Sequence, residues 1–450
     1  MNEHLENKGR IGKALRMMAL SLAVVMVWQI VSPSMLRVIG ALAEEGSALS
    51  RIYGILSENI SEPTTAQDYY ELANISIGQR AYDKALGELE EARKLAGQED
   101  KALLAELHLK SASVYVITAQ RDKARQHLNE AVALDGKYAQ ARMLRAQLAI
   151  EDGDSAAAAE DLKAYVEAVP EDHATRLTLA QLQESISDFA GAKEQYDALY
   201  QAQKDQAHRL NALRCQFLAG EYNQALTSFE KFIANQKPDS PYRPIAAFLR
   251  AACLMQLQRF SDAAKGFADA KKYGYDAATC YDQMIACYFE SENYEKVVET
   301  GEQMIKQETD IIAPDVFYQK MGASLVQLEK YEEALEYLGK SMEISPDLVG
   351  NAYYRGVALL ALKRYEEAAA DFGKSIEQGF LTQFCYYNRG VCYVQLLNYD
   401  GAIEDMGMTL SSGEDEALIE AAKNILWQLA AYYESVQTAE ATAETAAETK

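Results

Sequence analysis

The sequence predicts an all-α solenoid of about ten helix–turn–helix repeats, closed by a C-terminal capping helix. Three observations predict it. A short marker returns about every 34 residues, a small and a large residue keep fixed offsets from that marker, and prolines avoid the interior of every expected repeat helix. Recurrence of this kind outranks domain counting, because a period of 20–50 residues signals stacked units that bury their faces against one another.

The marker is an aromatic residue, two mostly polar residues and an alanine: YDKA, FAGA, YNQA, FSDA, YEEA twice and YDGA. Its alanines are Ala85, Ala192, Ala225, Ala263, Ala334, Ala368 and Ala402, with weaker copies ending at Ala124, Ala158 and Val297. Successive steps are 39, 34, 34, 33, 38, 34, 37, 34 and 34. Twelve residues before the marker sits Ala73, Ala112, Ala146, Ala180, Ala251, Gly322, Gly356 or Gly390, with Leu213 and Ile285 as exceptions. Four residues after it sits a large apolar residue such as Leu89, Leu162, Phe267, Leu338, Phe372 or Met406, with Gly301 as the exception. Two antiparallel helices approach closely only where one offers Gly or Ala and the other fills the groove beside it.

Pro170 and Pro346 fall at unit ends, and Pro63, Pro244 and Pro314 fall just before or at the start of a first helix, where the missing N–H is harmless. Pro238 and Pro241 lie in a longer joint, Asn235–Arg243; similar inserts near Gly97–Lys101 and Lys306–Ile312 account for the other long steps. Residues 413–436 carry apolar residues at Leu418, Ile419, Ala422, Ile425, Leu426 and Leu429, a helical stripe that suits a cap. Beyond it, residues 437–450 (TAEATAETAAETK at their end) read as an acidic, disordered tail.

These residues resemble the tetratricopeptide (TPR) repeat, a helix–turn–helix unit of 34 residues. The clearest stretch is GVALLALKRYEEAAADFGKSI, Gly356 to Ile376, and the resemblance spans residues 66–412. It implies a right-handed α-α superhelix. It also implies that the second, fifth, ninth and twelfth positions of each first helix face a concave groove. Carried over residue by residue, those positions include Leu210, Arg214, Phe217, Phe248, Met255, Asp282, Phe289, Gln319, Val326, Tyr353, Leu360, Tyr387 and Val394. This apolar, aromatic set either receives a protein or peptide partner or braces the next helix. The Lys/Asn clamp by which some members hold a terminal carboxylate is missing, since Asn74 is the sole asparagine at a ninth position and Tyr70 stands where its lysine belongs.

The chain begins with Lys8, Arg10, Lys13 and Arg16, followed by an apolar run from Met17 to Val31. Residues 1–43 read as a secretory signal cleaved after Ala43, or as an uncleaved anchor over residues 17–36. Either way the basic flank stays in the cytoplasm and the repeats are carried outward. A short amphipathic helix is expected in the linker 44–65, around Leu49, Ile52, Tyr53 and Leu56.

The net charge of the 450 residues is −23, which argues against nucleic acid as a partner. Residues 1–43 hold five basic and two acidic side chains, so the acidity lies in the remainder. Cys280 and Cys385 at the third position of their units, and Cys215, Cys253, Cys287 and Cys392 at the tenth, read as small core residues. Arg355/Asp371 and Arg389/Asp405, each 16 apart, read as structural ion pairs. His108 and His127 read as surface histidines, or as neighbours on that surface. Asn59 and Asn74 open glycosylation-like tripeptides. No catalytic, cofactor or metal motif appears. The expected function is a non-enzymatic protein-binding scaffold, exported or tethered to a membrane. The alternatives are a cytosol-facing anchored receptor or co-chaperone and an unrecognised enzyme.

Overall fold

The computed structural model describes residues 54–58, 60, 62–413 and 415–448. The expected signal or anchor, residues 1–43, lies outside the described residues, as does most of the linker; of the linker helix, residues 54–58 are described and helical. Among the described residues every regular element is a helix. The chain forms two compact units, one ending at Glu221 and one beginning at Tyr222.

The first unit contains α1 (Ala66–Gly78), α2 (Tyr82–Leu95), α3 (Lys101–Ile117), α4 (Arg121–Leu134), α5 (Ala139–Glu151), α6 (Ser155–Ala168), α7 (His173–Ser185), α8 (Phe189–Gln203) and α9 (Gln206–Leu218). The second contains α10 (Tyr222–Ala234), α11 (Tyr242–Gln256), α12 (Phe260–Lys272), α13 (Ala277–Glu290), α14 (Tyr294–Lys306), α15 (Pro314–Gln327), α16 (Tyr331–Ile344), α17 (Asn351–Ala361), α18 (Tyr365–Glu377), α19 (Thr382–Gln395), α20 (Tyr399–Ser411) and α21 (Glu416–Glu448). Within each unit, helices pack as consecutive pairs, and each pair packs on the next.

One turn recurs between the two helices of every repeat. The residue five before the marker adopts positive φ: Arg80, Ala119, Gly153, Ser187, Gly220, Gln258, Glu292, Glu329, Lys363 and Leu397. The next N–H then reaches back five residues, as in Ala81 N–H to the Ser76 carbonyl at 2.8 Å and Asn398 N–H to the Tyr393 carbonyl at 2.9 Å. This is the Schellman closure, which satisfies the last carbonyls of the first helix and reverses the chain at once. Only two of these positions are glycine, so the others carry the steric cost of the left-handed region. The sequence analysis missed this turn, because a left-handed site filled by Leu, Glu or Lys has no residue signature. Asp154, Asp188, Asn293 and Asn398 then cap the second helix by accepting a backbone N–H.

Packing follows the small/large offset. Ala85, Ala368 and Ala402 are fully buried, as are Leu89, Leu338, Phe372 and Met406. A methyl group added at Gly356 would stand 2.9 Å from the Phe372 ring, and one at Gly322 2.5 Å from Leu338. Each glycine is therefore the space that its partner side chain fills.

Two boundaries differ from expectation. The extra residues of the first long step lengthen α3 by a turn, since Leu103 and Leu104 continue its helical pattern, instead of lying in the joint. The last helix, capped by Asp415, runs through residues 437–448, where the sequence analysis expects disorder. Alanine and glutamate are among the strongest helix formers, and a helix already nucleated on a packed stretch extends through them at little cost. Its packed face includes Ala422 and Leu429, both buried, whereas Glu420, Lys423, Asn424 and Trp427 are exposed. α21 thus rests on α19 and α20 as the expected cap.

Candidate partner-binding surface

The first helices of neighbouring repeats in the second unit touch in series: α13 with α15, α15 with α17, and α17 with α19. Their second, fifth, ninth and twelfth positions therefore form adjacent rows. Across repeats six to ten, Asp282 is the one charged side chain at these four positions.

The predicted residues fall into three groups. Leu210, Phe217 and Val326 are buried and belong to the core. Arg214, Phe248, Phe289, Gln319 and Tyr353 are half-buried and already engaged. Arg214 donates to both carboxylate oxygens of Glu184 at 2.8 Å. Phe248 stacks on Tyr275 with ring centres 4.3 Å apart, and Phe289 meets Tyr294 edge-on at 6.0 Å. Gln319 Nε2 donates to the Val349 carbonyl at 2.7 Å, and Tyr353 meets Phe380 edge-on at 5.8 Å. These residues carry out the bracing that the sequence analysis set beside the binding role. Met255, Leu360, Tyr387 and Val394 are half-buried and present part of their surface; Asp282 is half-buried and accepts from Gln283.

The six cysteines are buried and unpaired by disulfide, as expected of core residues. Burial pushes the thiols of Cys253, Cys280, Cys287 and Cys392 up to about 12 and raises those of Cys215 and Cys385. Protonated and enclosed, they are poor nucleophiles and poor metal ligands. Among the described residues, no group of three or more His, Cys, Asp or Glu is placed to hold a metal ion.

The expected ion pairs form as bidentate bridges. Arg355 holds Asp371 through two 2.6 Å bonds, and Arg389 holds Asp405 at 2.8 and 2.7 Å. Side-chain hydrogen bonding to Asp371 and Asp405 raises the pKa of each guanidinium further. The same bridge joins Arg145 to Asp161 at 2.6 and 2.7 Å. Its 16-residue offset was present in the sequence and passed unread. That bridge borders a cleft of about 640 Å³, lined also by Arg125, Asn129, Asp152 and Glu160. Arg125 pairs there with Asp152, and Asp154 and Glu160 leave the lining acidic.

His108 and His127 depart from the surface reading: they are half-buried, and their Nδ1 atoms stand 3.1 Å apart. The Asn74 tripeptide lies inside α1 with Ser76 buried, a poor substrate for a transferase that needs accessible chain; Asn59 lies outside the described residues. Among the described residues no helix is long and apolar enough to cross a membrane.

Tetratricopeptide-repeat family models match residues 109–173, 218–277 and 316–348. No curated protein matches the sequence. Solved structures similar to the chain include YrrB, described as a TPR protein with an unusual peptide-binding site. It is 24% identical with a TM-score of 0.37, over 44% of this chain and 97% of that one. A tetratricopeptide repeat protein from Parabacteroides merdae is 17% identical with a TM-score of 0.35, over 56% and 98%. The C-terminal part of a TPR repeat-containing protein from Cytophaga hutchinsonii is 14% identical with a TM-score of 0.44, over 54% and 97%. With the recurrent turn, the paired helices and the family matches together, the chain carries tetratricopeptide repeats.

Proposed function

We propose that this protein is a non-enzymatic scaffold that holds a protein or peptide partner against the first helices of its second unit. The observation that carries the reading is the near absence of charge along those rows, in a chain whose net charge is −23. A surface held free of charge inside so acidic a protein suits a partner that offers apolar anchors, in an extended segment or on one helix face. Met255, Leu360, Tyr387 and Val394 are its contact residues, with Phe248, Phe289 and Tyr353 as the rigid frame behind them. Buried, protonated thiols support the non-enzymatic part of the reading. The basic and apolar start of the chain supports export or membrane tethering, with the repeats on the outer side.

Site-specific photo-crosslinking tests the surface. A crosslinker at Met255 or Tyr387 is expected to trap a discrete partner. One at Ile344 or Ile305, exposed on second helices, is expected to trap none. Equal capture at all four positions would refute the surface. Protease digestion of intact cells tests the topology: repeats protected until the membrane is opened would refute export.

A further inference from the structure

His108 on α3 and His127 on α4 form a pair that the scaffold reading does not use. Their Nδ1 atoms are 3.1 Å apart and their ring centres 5.1 Å apart. At that distance one imidazole donates its N–H and the other accepts, so at least one ring must be neutral. If both are protonated, two N–H groups point at each other. Arg93, from α2 of the preceding repeat, faces both rings, and its Nε is buried without a hydrogen-bond partner.

The surroundings offer little to balance added charge. Glu90 on α2 is already paired with Arg93. On α3, Tyr115 lies against His127 with ring centres 5.3 Å apart and carries Lys123 of α4 over its face. Glu130 on α4 is the one carboxylate that favours a charged His127. The α5 residues packed in the same core, Ala141, Leu144 and Leu148, carry no charge.

We propose that the His108–His127 pair is an acid-sensitive latch at the joint between the first and second repeats. Protonation sets imidazolium beside Arg93 and drives α2 away from α3 and α4. Burial, with Arg93 adding to it, holds both imidazoles at about 4, against 6.5 for a free histidine. Because these values are depressed on folding, the unfolded joint binds more protons than the folded one between those limits. The latch is therefore fully closed above about pH 6.5 and weakens as pH falls toward 4. The device stands independently of the partner-binding surface.

Hydrogen exchange on the full chain, corrected for intrinsic rates, tests it between about pH 7.5 and 5. Amides of α2, α3 and α4 are expected to lose protection at least about tenfold more than those of α17–α20, a stretch without histidine. The double variant His108→Leu/His127→Leu is expected to abolish that difference. NMR titration of the histidines supplies a reading independent of that variant's folding. Both should titrate below about pH 5, and Arg93→Gln should move them upward. Equal loss across both regions, or titration near 6.5, would overturn the latch. So would a wild-type melting temperature raised by added Ni²⁺ but unmoved in the histidine variant, since the pair would then be a metal site.

Discussion

Repeat seven (α13–α14) and repeat nine (α17–α18) perform the same packing task with opposite parts. In repeat nine a glycine on the first helix, Gly356, receives Phe372 from the second, and beside them Arg355 grips Asp371. In repeat seven the large residue is Ile285 on the first helix and the glycine is Gly301 on the second. Met284 stands where the arginine would, and buried Thr300 where the aspartate would. The room over Gly301 is filled by Met321, which comes from α15 of the next repeat. Filling the groove is obligatory, and which chain segment fills it is not. Local sequence pattern follows the usual solution and loses the exception.

The comparison can be broken most sharply by emptying each groove. Phe372→Ala should cost about 3–5 kcal/mol in the local stability of α17–α18, and Met321→Ala about 2–5 kcal/mol. The Met321 loss should appear in repeat seven as well as in repeat eight. Hydrogen exchange resolved by helix is the measurement, because a solenoid need not unfold in one step. A Met321→Ala effect confined to α15–α16 would remove the cross-repeat role.

Next in size is the charged bridge. Asp371 is nearly buried, with a side chain 6% exposed, so Arg355→Met should cost about 3 kcal/mol by leaving its carboxylate unpaired. Copying repeat seven with Arg355→Met and Asp371→Thr together should restore most of that loss. A double variant as weak as the single one would show that the bridge itself, and not the stranded charge, sets the stability.

Glycine replacement separates the two repeats more finely. Gly356→Ala drives a methyl into a phenyl ring fixed on all sides and should destabilise by about 1–2 kcal/mol. Gly301→Ala meets only the flexible thioether of Met321, and the gain of about 1 kcal/mol in helix propensity should leave it near neutral. Thermal melts of the two variants under one condition should rank them in that order.

The smallest effect concerns the turn that both repeats share. Lys363 in repeat nine holds φ +62° and Glu292 in repeat seven φ +56°, so glycine at either position should stabilise its repeat by about 0.5–1 kcal/mol. Gly153→Ala, at the same turn in the first unit, should cost about as much. Equal and opposite shifts in local exchange would verify that one turn geometry runs through the whole array.

Much of this architecture was legible before any coordinates. Marker spacing located the helix pairs, the proline positions marked their ends, and the 16-residue offsets foretold two of the bidentate bridges. These features repeat, and repetition lets weak local signals add. The histidine pair sits at a 19-residue offset that also brings together Phe248 and Phe267, Tyr318 and Tyr337, and Tyr353 and Phe372, a spacing the sequence analysis did not use. Met321 over Gly301 is different: it arrives from the next repeat, and no separation within one repeat announces it.

What the sequence alone determined, then, is the repeat: its period, the small and large residues that let two helices touch, the core placement of the six cysteines and the scarcity of charge at four positions of the later first helices. All of these depend on neighbours at fixed separations along the chain, and helix geometry converts separation into position. What only the tertiary structure decided is which apolar residues stay partly exposed and which act as braces. Phe248 on Tyr275, Gln319 on the Val349 carbonyl and buried Phe217 all occupy positions that read as groove-facing. Burial depends on what arrives from the next repeat, through a joint whose length and angle no single repeat encodes.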